Sequence, residues 1–211
     1  NKNVQKEEKL ILNQLTKVTI SHYENNPESF WSGTKDHDVS QNYKSFLSAI
    51  KSERPFKILD LGCGPGRDLK YFKKQGHLPI GLDGCPSFCR MAKAYSKCEV
   101  LEQDFIDLNL DDEFFDGVFA NASLFHVPKS ELVQVLNKLN KSLKNNGVLF
   151  SSNPRGNTDG IDGMRYSNLM EIKEYKKIVE SCNFRLIDHY YRPNGIPVEN
   201  RPWLACLFRK R

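Results

Sequence analysis

Apolar residues recur along this chain in two alternating periods. At Lys57–Leu61, Leu78–Leu82, Glu99–Glu102, Phe115–Ala120 and Val148–Ser152 they form short runs bounded by polar or turn residues. Runs of that length fit strands buried on both faces. Between them the spacing changes to three and four. Leu69 and Phe72 share a face from about Arg67 to Gln75, with Gly76 as the stop. Phe88, Met91, Ala92 and Tyr95 do so after Pro86. Leu132, Val135, Leu136, Leu139 and Leu143 do so from about Lys129 to Lys144, where Asn145-Asn146-Gly147 ends the pattern. These are amphipathic helices with ordinary start and stop residues.

Strand–helix alternation predicts a parallel sheet with helices on both faces. A polar, glycine-rich loop follows from Asn153 to about Asn168, then a helix over Glu171–Cys182. Arg185–Tyr191 and Trp203–Phe208 are strands with only a loop between them, so they pair antiparallel. The expected fold is α/β, a Rossmann-like doubly wound, seven-stranded and mostly parallel sheet with an antiparallel final strand.

The first part of the chain reads differently. A helix from Lys6 to about Glu24 places Ile11, Leu15, Val18 and His22 on one stripe, and Pro27 interrupts it. Residues 29–38 mix large aromatics with a charged cluster and fit no strand; as a loop they would plug the core or cover a ligand. Asn42–Lys51 reads as a helix with Tyr43, Phe46, Leu47 and Ile50 inward. The expected division is an N-terminal helical cap and lid segment at 1–54 and a core at 55–211.

Composition narrows the classes. The chain has 211 residues, 39% hydrophobic and 27% charged, which suits one globular domain. The net charge of +5 is spread out apart from Arg209-Lys210-Arg211, so it reads as a solvated surface with no nucleic-acid partner. No apolar run of about 18 residues exists, and no membrane association is expected. Six cysteines form no C-x-x-C and sit mostly in apolar segments. With no leader at the start, they read as free thiols in a reducing, cytoplasmic setting. Cys85 and Cys89 have no histidine near, and no metal is expected. Asn1, not Met, opens the chain, which suggests either a trimmed chain or a piece of a longer, multidomain enzyme.

The candidate chemistry sits at the strand ends. Asp60 precedes a turn with glycines at 62, 64 and 66; Asp83 follows 21 residues after Gly62; Asp104 and Asn121 close the next two strands. In open α/β sheets ligands bind beyond those ends. A carboxylate at Asp83 can accept from both hydroxyls of a ribose, which keeps an NAD-dependent oxidoreductase open. Against it, the glycine spacing is not G-x-G-x-x-G, and Asp60 stands where a pyrophosphate would meet negative charge. A cationic ligand suits that position.

The segment Asp60–Gly66 resembles the first motif of class I S-adenosylmethionine-dependent methyltransferases, and the resemblance runs in order over most of the chain. It implies S-adenosylmethionine as cofactor. Gly62, Gly64 and Gly66 would let the chain pass close to the donor's methionine part. Asp60 would hold the ammonium directly or through water, and Arg67 would pair with the carboxylate or with a surface acid. Asp83 would take the ribose, Gly84 would leave room for adenine, and Asp104 with Phe105 would contact adenine. Asn121 to His126 would lie beside the methionine.

Four stretches also resemble the methyltransferase domain of ovothiol-biosynthesis proteins: 30–42, 115–128, 150–156, and 190–193 with 202–205. That resemblance implies methylation of a 5-thiohistidine imidazole nitrogen. Another small amino-acid-like or thiol acceptor is the alternative, and a non-catalytic donor-binding module a remote one. His126 is the candidate base or acceptor-orienting group, and His37, between two aspartates, is the second. Phe30 and Trp31 can cover the donor or stack on an imidazole. Arg155, with Arg165 and Tyr166, can clamp an acceptor carboxylate, and glycines 156, 160 and 163 would let that loop close as a lid. Asn153-Pro154 follows the fifth strand, not the fourth, and so does not match the motif of nucleic-acid adenine methyltransferases.

Overall fold

The computed structural model describes residues 2–163 and 165–211. Seven strands form the main sheet: β1 (Lys57–Leu61), β2 (Leu78–Asp83), β3 (Val100–Glu102), β4 (Phe115–Asn121), β5 (Leu143–Pro154), β8 (Phe184–Arg192) and β9 (Trp203–Lys210). Their order is β3-β2-β1-β4-β5-β9-β8. The pairs among β1 to β5 are parallel, and β9 runs against both β5 and β8. This is the expected doubly wound sheet with its antiparallel final strand. The order reverses direction between β1 and β4, so the crevice for a ligand opens at their carboxyl ends.

The continuous apolar runs are central strands. Every residue of β4 except Asn121 is buried. On one face α6 (Leu132–Ser142) and α7 (Ile172–Glu180) supply Leu136, Leu139 and Val179 to the core. On the other, α3 (Ser40–Ala49) and α4 (Arg67–Lys74) supply Phe46 and Phe72 to an aromatic cluster in which Phe119 stacks on Phe150 at 4.7 Å. Thus α3 is built into the core, while α1 (Lys2–Asn25) and α2 (Pro27–Thr34) roof the strand ends.

Several local expectations are corrected. Residues 29–34 are helical, because Pro27 takes the first turn of α2, where its missing N–H is harmless. The stripe expected on α1 is wrong: Ile11 is 57% and Val18 38% exposed, and the buried residue is Thr19. This helix faces a cavity and a hairpin, not the apolar core. The helix read to Lys144 stops at Ser142, and Asn145-Asn146-Gly147 lies inside β5 beside a register shift between Phe115 and Gly117. The loop read at 153–168 contains an antiparallel hairpin, β6 (Thr158–Asp162) and β7 (Arg165–Leu169). Its second strand is fixed to α1 by the Tyr166 N–H, which donates to Thr19 Oγ1 at 3.0 Å.

Candidate active site

A cavity of about 760 Å³ opens at the carboxyl ends of the strands, a size that suits a nucleoside with a small acceptor. One end is built by the glycine turn. The Gly62 and Cys63 N–H groups both donate to the Leu82 carbonyl, at 2.7 and 3.0 Å, which seats the turn on the end of β2. Gly62 has φ +74°, and a Cβ there would lie 2.4 Å from Ser123 Cβ. Gly64 has φ +52°, and a Cβ there would meet only Phe30 Cε1, at 3.6 Å, across the cavity. The first glycine is needed for packing and the second leaves backbone open to a ligand. Gly66 does not line the cavity. A Cβ there would come within 2.9 Å of Ala92 Cα, so its task is to let α5 (Pro86–Ser96) pack on the turn.

Asp83 lies at the junction of these elements. Its Oδ2 accepts from the Gly64 N–H and its Oδ1 from the Cys85 N–H, both at 2.9 Å. Burial raises its pKa to about 6 against those two bonds. Gly84, Asp104 and Phe105 line the same end. Asp104 accepts from the Ile106 N–H at 3.2 Å, and burial also raises its pKa.

Asp60 is placed otherwise than expected. It is 1% exposed, does not line the cavity, and its Oδ2 has no protein partner. Burial first, and then the nearby Asp68, push its pKa upward. A direct contact to a bound ammonium is therefore replaced by a place beneath the turn.

Arg67 lines the cavity, but its guanidinium is engaged: Nε donates to Asp68 Oδ1 at 2.8 Å and Nη1 to the Thr34 carbonyl at 2.9 Å. Asp68 also accepts from the Tyr43 hydroxyl and from Asn121 Nδ2, the latter at 3.4 Å. Asn42 Nδ2 donates to Asn121 Oδ1 at 3.2 Å. The sequence reading missed Asn42, Tyr43 and Asp68. Tyr43 stood in an apolar helical stripe, and nothing marked its hydroxyl.

At the middle of the cavity a hydrogen-bonded chain joins three elements. His126 Nδ1 lies 2.9 Å from the Tyr166 carbonyl, which can only accept, so that nitrogen carries the proton. Nε2 then accepts from the Tyr23 hydroxyl at 2.8 Å, and Tyr23 accepts from Arg165 Nη1 at 3.0 Å. Burial, reinforced by Arg165 and His22, lowers the His126 pKa to about 3. Tyr23, His126 and Arg165 all line the cavity. His126 is a neutral group with both ring nitrogens bonded, which suits positioning better than proton abstraction. Tyr23 was not foreseen, because it falls one residue past the stripe read on this helix and no spacing marks its hydroxyl.

The rest of the lining includes His37, Asp38, Val39, Arg192 and Trp203, while Phe30 and Trp31 lie at the glycine end, packed on Phe88 and Tyr95 of α5 at 5.1 and 4.9 Å. Arg155 is not there. Its Nη1 donates to the carbonyls of Val198 and Arg201, at 2.8 and 2.9 Å, its Nε pairs with Glu171 at 3.3 Å, and its guanidinium lies 4.2 Å over the Tyr191 ring. It staples a loop and cannot serve as the carboxylate clamp. Tyr166 is 5% exposed, and its hydroxyl accepts from the Lys129 N–H at 3.2 Å, so it is structural as well. The cation missed in this lining is Arg192.

Residues 59–151 match the model of a family described as a methyltransferase domain. The chain is 25% identical to the phosphoethanolamine N-methyltransferase of Plasmodium falciparum, over 67% of this chain and 58% of that one. It is 32% identical to the trans-aconitate 2-methyltransferase of an Enterobacter species, over 60% of this chain and 48% of that one. It thus spans roughly half the length of these relatives. In fold it is similar to the Burkholderia thailandensis 1,6-didemethyltoxoflavin-N1-methyltransferase, solved with bound 1,6-didemethyltoxoflavin and S-adenosylhomocysteine. The TM-score is 0.77, with 20% identity, over 94% of this chain and 90% of that one.

Proposed function

We infer that this chain, whose residues 59–151 match the methyltransferase-domain model, is a class I S-adenosylmethionine-dependent methyltransferase that transfers a methyl group to a small-molecule acceptor. The observation that carries this reading is the convergence of the Gly64 and Cys85 N–H groups on the Asp83 carboxylate, beside a Gly64 that faces the cavity without a Cβ. The fit to a sulfonium nucleoside is good. Asp83 keeps unused lone pairs for ribose hydroxyls, Asp104 and Phe105 stand where adenine would lie, and the carboxylates of Asp83 and Asp104 favour a cation over a pyrophosphate. When bound, S-adenosylmethionine supplies a methyl group already activated on a sulfonium sulfur.

The chain's own residues then orient and exclude water. Phe30 lies 5.1 Å from Phe88 and 5.4 Å from Tyr23, closing the roof over Gly64. Tyr23 and His126 fix the middle of the cavity with the imidazole neutral.

The acceptor favoured here is a 5-thiohistidine, methylated on an imidazole nitrogen. Its support is that all four stretches resembling the ovothiol-type domain send residues into one cavity: Phe30 and His37, Asn121 and His126, Pro154, and Arg192 with Trp203. A neutral imidazole nitrogen needs orientation more than a base. The relatives named above bear on acceptors as different as phosphoethanolamine and trans-aconitate, so the choice rests on the cavity and not on them.

Calorimetry with S-adenosylmethionine, S-adenosylhomocysteine and NAD tests the donor. Tight NAD binding with none to S-adenosylhomocysteine would sink the reading. Incubation with 5-thiohistidine and methyl-labelled donor tests the acceptor. Donor binding with no turnover of any small amino-acid-like or thiol acceptor would point to a binding module instead.

A further inference from the structure

We propose that Arg192 recognises a carboxylate on the acceptor, which makes it a specificity-determining residue of the cavity. The proposal rests on the methyltransferase reading but not on 5-thiohistidine. Arg192 closes β8, where its ladder partner is Trp203, and Trp203 in turn faces Pro154 at the end of β5. All three line the cavity. The guanidinium is held in place, because one Nη2 proton goes to the Asp38 carbonyl at 2.6 Å. Its Nε is buried and has no partner among the described residues. Nor does Arg192 form an ion pair among them. The nearby Asp38 accepts from the Ser40 N–H at 3.0 Å and the Ser40 hydroxyl at 2.7 Å, both on Oδ1, and feels the charge of Arg192 without closing an ion pair with it.

Nε is covered by the protein itself, so the Nη groups are the ones that can serve an entering anion, and Nη1 has no hydrogen-bond partner among the described residues. A guanidinium favours a planar carboxylate as its partner. The donor's own carboxylate is the competing claimant, because the Thr34 carbonyl accepts from both Arg67 Nη1 and the His37 N–H, one residue before Asp38; donor affinity in the Arg192 variants separates the two. Trp203 beside Arg192 offers a face for an unsaturated ring. The acceptor class is therefore a planar or heteroaromatic molecule bearing a carboxylate.

The test uses the whole chain saturated with S-adenosylhomocysteine. Imidazole-4-propionate and indole-3-propionate are titrated by calorimetry against their primary amides. The expected result is that at least one acid binds about tenfold or more tightly than its amide. Arg192→Met should erase that preference and Arg192→Lys retain part of it, with S-adenosylhomocysteine affinity unchanged in both. Equal binding of acids and amides by the unmodified chain would overturn the proposal, as would failure of both acids to bind. A preference that survives in a folded Arg192→Met would do the same. A tenfold loss of S-adenosylhomocysteine affinity in that variant would reassign Arg192 to the donor. Failure to methylate 5-thiohistidine would count against that acceptor alone.

Discussion

The Tyr23 hydroxyl donates to His126 Nε2 at 2.8 Å across 103 residues of sequence, joining the first helix to the turn after β4. The Tyr166 carbonyl fixes the tautomer from one side and Arg165 holds the phenol from the other. The bond closes the α1 roof over the cavity, and Tyr23→Phe removes it while keeping the ring that packs on Phe30 and Phe88. We expect a turnover loss of about tenfold, a cost of roughly 1–3 kcal/mol for the stranded partners, and faster hydrogen exchange in α1. Unchanged exchange would show that the bond does not latch the roof.

His126 predicts a pH effect of its own. Its folded pKa is lowered from 6.5 to about 3. Below pH 6.5 the unfolded chain takes up a proton that the native imidazole refuses, so native stability falls as pH drops from 6.5 toward 3. His126→Gln should flatten part of that slope in urea unfolding measured between pH 4 and 7. The imidazole should also show no titration between pH 5 and 8 by NMR, and a midpoint near 6.5 would contradict its burial.

Asp83 titrates in the opposite sense. Its folded pKa is raised from 3.8 to about 6, and only the carboxylate can accept from two ribose hydroxyls at once. Affinity for S-adenosylhomocysteine should therefore hold above pH 6 and weaken toward tenfold per unit below it. Asp83→Asn should bind about a hundredfold more weakly at pH 8, from two charge-assisted bonds at roughly 1.5 kcal/mol each, and its residual affinity should lack that pH dependence. Calorimetry from pH 5 to 8 decides it, and an unchanged affinity in the variant would remove the ribose assignment.

The two glycines at the turn separate fold from ligand. Gly62→Ala forces a Cβ to within 2.4 Å of Ser123 Cβ and should lower the melting temperature sharply. Gly64→Ala meets only the Phe30 ring edge at 3.6 Å. It should cost no more than the left-handed strain of roughly 1–2 kcal/mol yet lose most donor affinity. A Gly64→Ala protein that binds S-adenosylhomocysteine normally would mean the donor does not cross this backbone.

The scaffold was legible because its signals are local. Buried parallel strands are continuous apolar runs, and Asp83, Asp104 and Asn121 stand at strand ends whatever the tertiary detail. What escaped was decided at a distance. The arginine expected to face the acceptor, Arg155, is consumed by carbonyls more than 40 residues away, while Arg192 reaches the cavity because β8 and β9 extend the sheet toward it. Pro27 is the same residue in a break or in a first helical turn, and only the packing of Phe30 against Tyr23 and Phe88 tells them apart. Tyr43 read as core and is core, but its hydroxyl also serves Asp68.

Helix α5 needs help from outside its own sequence. Cys85 occupies the capping position and supplies no side-chain cap. Glu24, from the end of α1, takes that role, accepting from the Ser87 N–H at 2.9 Å, the Ser87 hydroxyl at 2.6 Å and the Cys85 thiol at 3.0 Å. Those bonds, chiefly from Ser87, lower its pKa from 4.5 to about 2. The stabilising contact is therefore complete above pH 4.5 and lost as pH falls toward 2. Because α1 carries Tyr23, uncapping α5 should also loosen the cavity roof. Glu24→Gln should raise exchange at the amides of Ser87 and of residues 19–23 together at pH 7, and reproduce in part what acid does to the unmodified chain. If Ser87 exchanges faster while residues 19–23 do not, the cap and the roof are independent, and Tyr23 with His126 holds α1 unaided.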